Sequence, residues 1–114
     1  MAVPAGENEK VRAFYNGILG LKEVTPPEAA SGAYDILWFQ RLDILLHIHL
    51  SPPWVKPAEN RHVAVEVSNI RAIKEYLEEQ GAETREAVII PDRVRLYVLD
   101  PFGNYFAFIE MKSV

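Results

Sequence analysis

The clearest local structure in the sequence lies in the segment HVAVEVSNIRAIKEYLEEQG, residues 62–81. Its first six residues alternate strictly between valines and other side chains, which is typical of a half-buried β-strand. Asn69 then precedes apolar residues at helical spacing, and Gly81 stands where a helix ends in a left-handed residue. The segment therefore predicts a strand followed by an amphipathic helix.

The N-terminal part of the chain repeats this helical pattern. Its apolar residues fall on one face of a helix, namely Val11, Phe14, Tyr15, Ile18 and Leu19. Asn8 is the expected N-cap, and Gly20 is the expected end. Gly20 precedes Gly81 by 61 residues, and the same interval separates Tyr15 from Tyr76. The common interval indicates a duplicated unit.

Three short strand candidates follow each predicted helix. They are residues 21–24, 34–39 and 43–50 in the first half, and 83–88, 93–99 and 104–111 in the second. The last two are joined by the turn sequence Asp100-Pro101-Phe102-Gly103. Only Met1–Pro4 remain for a strand ahead of the first helix. Each half is therefore expected to read strand–helix–strand–strand–strand.

These elements predict an α+β fold class, with two βαβββ modules forming a cupped mixed sheet and helices on the outer face. The predicted organisation is a single domain over residues 1–114. Its first module spans residues 1–50, its second spans residues 62–114, and residues 51–61, with three prolines, form a linker.

Composition excludes several classes of function. The chain has 114 residues, of which 49% are hydrophobic and 25% charged, as in soluble globular proteins. It has no cysteine, which excludes disulfides, thiolate nucleophiles and zinc fingers. The net charge is −4 with neither sign clustered, which argues against nucleic acid as a partner. No membrane span or export signal is recognisable, so the expected location is the cytoplasm.

Strand alternation predicts which side chains face away from the helices. These are His47 and His49 in one strand, His62 and Glu66 in another, and Arg95 and Tyr97 in a third. All three histidines are thus expected on one surface. Glu110 has the opposite parity, and we expect a solvated charge there.

Two interpretations of the histidines remain open. Two histidines and a carboxylate such as Glu66 suit iron, manganese, nickel or zinc. Alternatively, the histidines line a pocket or a dimer interface, and Glu66 forms an ion pair with Arg95 or another cation. Arg95 and Tyr97 are candidates for binding an anionic substrate. Trp38 and Trp54 can wall an apolar ligand or belong to the core.

Several motifs in this order resemble the vicinal oxygen chelate superfamily, which holds glyoxalase I, bleomycin-resistance proteins and extradiol dioxygenases. They are Phe14-Tyr15, Ile18-Leu19-Gly20-Leu21, Trp38-Phe39, His62-Val63-Ala64-Val65 and Asp100-Pro101-Phe102-Gly103-Asn104. The resemblance covers nearly the whole chain. It implies paired βαβββ modules, a homodimer and, in the enzymes, a divalent metal that chelates two substrate oxygens.

The resemblance also implies which residues correspond to the family's metal ligands. Its second ligand maps to His47, with His49 as the neighbouring alternative, and its third maps to His62. The first falls just before Met1. The last falls on Ala107, seven residues after Asp100, and alanine cannot bind a metal. The resemblance therefore implies an incomplete metal site.

Three functions are compatible with these residues. The favoured one is a divalent-metal-dependent lyase, isomerase or dioxygenase for a small oxygen-rich substrate, using His47, His62 and either His49 or Glu66. The alternative is a metal-free ligand-binding protein of the bleomycin-resistance type, with a groove lined by Trp38, Trp54 and Tyr97. The net negative charge then favours a cationic ligand. A third is an inert module that assembles through the edge of its short first strand.

Overall fold

A computed structural model shows an α+β fold with two compact units, Met1–Lys56 and Pro57–Val114. The boundary between the units lies inside the predicted linker. The structure describes residues 1–26, 36–51, 54–57, 62–87 and 89–112. Within these ranges, none of the helices has the length and hydropathy needed to cross a membrane.

The first unit contains one helical segment and a four-stranded mixed sheet. Its elements are β1 (Ala2–Pro4), α1 (Asn8–Arg12), β2 (Lys22–Val24), β3 (Ile36–Arg41) and β4 (Ile44–Ser51). The strand order is β1-β4-β3-β2, with β1 parallel to β4 and the other pairs antiparallel.

The second unit repeats this topology. Its elements are β5 (His62–Glu66), α2 (Ile70–Glu79), β6 (Glu83–Glu86), β7 (Arg93–Leu99) and β8 (Tyr105–Met111). The strand order is β5-β8-β7-β6, again with one parallel pair, β5 and β8. The repeated sequence pattern thus corresponds to a repeated βαβββ topology.

The predicted strand bounds differ from the observed ones by at most two residues where the structure describes both. The strand over Arg93–Leu99 agrees at both ends, and the first strand is three residues long. Residues 34, 35 and 88, which were assigned to strands, lie outside the described residues.

The first helix departs from its predicted form at its start and in its second half. Asn8 is the first helical residue rather than the N-cap, and the preceding Glu7 makes no side-chain capping bond. From Ala13 to Ile18 the helix continues in π geometry, so the Leu19 amide donates to the Phe14 carbonyl at 2.9 Å. Gly20 then ends it at a φ of +72°, as predicted.

The second helix begins with two capping interactions. The Asn69 side chain accepts a hydrogen bond from the Ala72 amide at 3.1 Å, which confirms the predicted N-cap. Glu110 on β8 accepts a second one from the Ile70 amide at 2.7 Å. The expectation of a solvated charge at Glu110 is therefore wrong, because this half-buried carboxylate binds the positive end of the helix.

Glu110→Ala is expected to lower the free energy of unfolding by roughly 1–2 kcal/mol, because it removes a charged acceptor from the first turn of α2. Urea unfolding of both forms measures this difference. Glu79→Ala is the matched control, since Glu79 is an exposed residue at the other end of the same helix. Equal losses in the two variants would contradict the capping role.

The core of each unit lies between its sheet and its helix. In the first unit Val11, Tyr15, Phe39 and Ile48 are fully buried, and in the second Val98 is fully buried and Leu77 nearly so. Helix α2 packs on β6, β7 and β8. Four residues whose positions predict burial on the apolar faces are instead exposed, namely Ile44, Val63, Tyr76 and Val94.

The two-residue turn between β3 and β4 is strained. Leu42 adopts a φ of +53°, a region that costs a side chain with a Cβ about 1–2 kcal/mol. Its side chain is 87% exposed, so it gains little packing in return. Leu42→Gly is therefore expected to raise the free energy of unfolding by roughly 0.5–1 kcal/mol, measured by urea unfolding. A loss of stability in this variant would show that the leucine side chain is held by a contact.

Candidate functional site

In the first unit, His47 and Trp38 form an aromatic pair on the open face of the sheet. They are register partners on β4 and β3, so their side chains project to the same side. The two rings stack with centroids 4.0 Å apart and an interplanar angle of 8°. The Trp38 Nε1 donor is buried and has no hydrogen-bond partner among the described residues. This pair presents a flat aromatic surface with one unused donor.

His49 lies two residues along β4 from His47 and therefore on the same face. Burial lowers the pKa of His49, and electrostatic repulsion from the Met1 amino group and from a protonated neighbour at His47 would oppose its protonation further. His49 is consequently neutral at physiological pH and can accept a hydrogen bond or a proton.

Backbone and indole hydrogen bonds hold β1 beside these histidines. The Met1 nitrogen donates to the His47 carbonyl at 2.8 Å, and the His49 amide donates to the Met1 carbonyl at 2.7 Å. Trp54 Nε1 donates to the Ala2 carbonyl at 3.2 Å. The indole N–H of Trp54 is thus bonded to the backbone of β1. Trp54 therefore has a structural role.

An open pocket of about 280 Å³ adjoins the Trp38 side of this sheet. Val24 and Thr25 line it from the end of β2, and Ile36 and Trp38 line it from β3. It is a recess of mixed lining next to the aromatic pair, because Glu23 and Thr25 contribute polar surface to it.

In the second unit, four side chains form a connected cluster on one face of the sheet. The His62 ring lies edge-on to Tyr97, with centroids 5.4 Å apart, and Tyr97 lies edge-on to Tyr105 at 6.1 Å. Arg85 donates a hydrogen bond to the Tyr105 hydroxyl, and its guanidinium carbon lies 5.5 Å from the centroid of that ring. The cluster combines aromatic surface with a positive charge.

Two alanines lie beside this cluster. Ala64 on β5 is the register partner of Ala107 on β8, and Ala107 is also the partner of Tyr97 on β7. Arg85 on β6 is the register partner of Tyr97 on the other side of β7. One row across the sheet therefore runs from a cation through a tyrosine to two small side chains.

Glu66 does not make the ion pair with Arg95 that the sequence favours. It is exposed, and it forms no salt bridge in the part of the chain that the structure describes. The strand register explains this, because Ile109 on β8 lies between Glu66 on β5 and Arg95 on β7. Arg93, next on the same face, pairs instead with Asp92 at 2.9 Å, and this hydrogen bond lowers the pKa of Asp92.

The predicted metal ligands are divided between the units, with His47 and His49 in the first and His62 and Glu66 in the second. Within either unit, the described residues contain no group of three His, Asp or Glu side chains placed to hold a metal. His62 and Glu66 are four strand positions apart, about 13 Å along β5. The described donors of neither unit fit the three-ligand centres typical of catalytic metals.

Sequence reasoning overlooked Arg85 and the contact of His47 with Trp38. Alternation along β6 places Arg85 on the same face as Tyr97, but only the strand register shows that the two are neighbours. The stack of His47 on Trp38 can be recognised only when the register between β3 and β4 is known. The spacing of residues along the sequence does not give that register.

The chain matches the sequence model of the Glyoxalase-like domain over residues 1–109. A solved protein assigned to the glyoxalase family, from Bacillus anthracis, is 36% identical, with 97% of this chain and 89% of that chain covered and a TM-score of 0.87. A glyoxalase family protein from Enterococcus faecalis is 25% identical, with 96% and 94% covered and a TM-score of 0.73.

The fold also matches TnmS3, an antibiotic binding protein from Streptomyces sp. CB03234. The two are 18% identical, with 98% of this chain and 93% of that chain covered and a TM-score of 0.71. A search of the curated proteins gave no match. Family match, topology and close structural similarity agree, and the chain belongs to the glyoxalase-like family of the vicinal oxygen chelate superfamily.

Proposed function

We propose that this protein binds a small organic molecule without a metal ion. The observation that carries the proposal is the chemistry of the two open faces. They present aromatic rings and small side chains, while neither unit's described residues assemble three metal ligands. Ala107, at the position of the family's last ligand, supplies no donor atom.

The first unit offers the features of a ligand-binding surface. Aromatic side chains bind planar molecules through large contact areas, and few polar groups are needed to orient them. The Trp38–His47 stack provides that area, and the buried Trp38 Nε1 is a donor that a ligand acceptor can satisfy once the side chain moves. The adjoining recess of about 280 Å³ provides room for a further group of the ligand. The same fold occurs in an antibiotic binding protein, so the architecture is compatible with this role.

Tryptophan fluorescence tests the proposal. In Trp54→Phe the remaining indole is Trp38, so quenching or a spectral shift reports on the stacked surface alone. A screen of small aromatic compounds in buffer with EDTA is expected to give saturable quenching for at least one compound class. The matched variant Trp38→Phe, which keeps Trp54, is expected to show none. Absence of any saturable response in EDTA would contradict metal-free binding.

A divalent-metal-dependent enzyme is the second candidate, and one observation favours it. His49 has a lowered pKa and shares a face with His47, so a neutral imidazole is ready to bind a metal. This candidate predicts about one iron, manganese, nickel or zinc ion per chain after loading, lost in His62→Ala. Elemental analysis of both forms distinguishes the candidates, because metal-free binding predicts only background metal in each. Cytoplasmic location and a homodimer remain predictions.

A further inference from the structure

We infer that the first unit binds a planar aromatic acid, whose ring stacks on the face of Trp38 turned toward β2 and whose anionic group is bound by Lys22. The inference rests on the proposed small-molecule function and specifies the position and the chemical class of the ligand. It reverses the expectation, drawn from the net charge of −4, that the ligand is a cation.

The two faces of the Trp38 ring have different neighbours. His47 lies on the β4 side, with its ring 4.0 Å from the indole between centroids and an interplanar angle of 8°. This distance is close to the spacing of adjacent strands, about 4.8 Å, so both rings stand upright on the sheet. The second face of Trp38 is therefore turned toward β2, where its register partner is Val24. A planar ring placed there becomes the third layer of the stack.

The space between Trp38 and β2, which we call the slot, has an aliphatic floor and an open end. Val24 forms the floor, and it is only half-buried. The recess of about 280 Å³ adjoins the slot, because Val24, Ile36 and Trp38 line both. A ligand stacked on Trp38 can therefore extend into the recess at this end.

A lysine lies at the other end of the slot. Lys22 comes two residues before Val24 on β2, so it projects from the same face of the sheet about 7 Å along the strand. It is exposed, and none of the salt bridges among the described residues includes it. Its ammonium group is therefore available to bind an anionic group of the ligand.

Carboxylates do not compete for Lys22 on this face. The described strand residues that share the face with Trp38 include no Asp or Glu, and Lys22 is the only Lys or Arg among them. Glu23, which lines the recess, alternates to the other face of β2, and Arg12 binds its carboxylate at 2.7 Å and 3.4 Å. The local charge beside the slot is therefore positive, although the net charge of the whole chain is negative, and an acid is favoured over a cation.

Three probes of nearly equal shape test the inference by isothermal titration calorimetry in buffer with EDTA. They are 2-naphthoate, neutral 2-naphthamide and 2-naphthylmethylammonium. We expect 2-naphthoate to bind roughly threefold more tightly than the amide and about tenfold more tightly than the ammonium compound, with an advantage that falls as salt is added. If either of the other probes binds as tightly as 2-naphthoate, the inference fails while metal-free binding stands. If no probe binds, the inference also fails, and the fluorescence screen decides on the proposed function separately.

Charge variants test the role of Lys22. In Lys22→Gln the affinity for 2-naphthoate is expected to fall to that of the amide, whose own affinity stays unchanged. Lys10→Gln is the matched control, because Lys10 lies on α1 with a side chain 67% exposed, and it should keep the preference for the acid. A preference that survives in Lys22→Gln would overturn the assignment of the anionic group.

Variants on the two sides of the stack locate the ring. Val24→Phe fills the slot and is expected to weaken 2-naphthoate at least tenfold with the thermal unfolding midpoint kept. Leu45→Phe is the matched control, since Leu45 is exposed on the same face but on β4, beyond His47. It should leave the affinity within twofold of that of the wild type. Undiminished binding in Val24→Phe, or an equal loss in Leu45→Phe, would overturn the position inferred for the ring.

Discussion

Asp100→Ala is expected to lower the free energy of unfolding by about 3 kcal/mol. The Asp100 side chain is only 5% exposed and organises the whole turn between β7 and β8. Its carboxylate accepts hydrogen bonds from the amides of Phe102 at 2.9 Å and Asn104 at 2.8 Å, and from the Asn104 side chain at 2.7 Å. Alanine leaves all three buried donors unsatisfied, and each then carries its full desolvation cost. Urea unfolding measures the loss.

An exposed aspartate at the opposite end of β7 provides the control for this prediction. Asp92 lies in the turn that precedes β7, it is exposed, and its carboxylate pairs with the neighbouring Arg93. Asp92→Ala should leave the urea midpoint close to that of the wild type. If Asp100→Ala is as stable as Asp92→Ala, the turn is maintained by Pro101 and Gly103 rather than by the carboxylate.

Tyr15→Ala is expected to lower the free energy of unfolding by about 4 kcal/mol. Tyr15 is 0% exposed, contacts the edge of Phe14 at 5.0 Å between centroids, and stacks near Phe39 at 5.8 Å. Its removal opens a cavity in the centre of the first unit. Thermal or urea unfolding measures the effect.

Tyr76 is the matched control, because it occupies the same place in the second helix. It is 44% exposed, so Tyr76→Ala is expected to cost less than about 1 kcal/mol. A much larger loss of stability in Tyr15→Ala than in Tyr76→Ala would show that equivalent positions of the two repeats differ in packing. Equal losses would contradict the burial that the structure assigns to Tyr15.

The repeat and its topology could be predicted from the sequence because both depend on local patterns. Apolar spacing identified the two helices, and the glycines at their ends adopt the expected positive φ. Alternation along β7 gave its bounds without error. The π turn in the first helix and the exposure of Tyr76 could not be predicted, because both depend on how the helix packs on its sheet.

The candidate site could be predicted only as a set of side chains on strand faces. Parity placed His47 beside His49, and His62 on the face of Tyr97. Distances across strands depend on register, which parity does not give. The expected pair of Glu66 with Arg95 fails for this reason, since Ile109 lies between them. Arg85 was overlooked because its importance arises from its contact with Tyr105.

Ligand binding is proposed to need no metal, and the affinity of the best compound from the fluorescence screen tests this most directly. Calorimetry in EDTA and then in excess Mn(II), Ni(II) or Zn(II) gives that affinity with and without metal. We expect equal dissociation constants within about twofold. Binding that tightens tenfold or more when one of these metals is added would contradict metal-free binding and would return His47, His49 and His62 to the role of ligands.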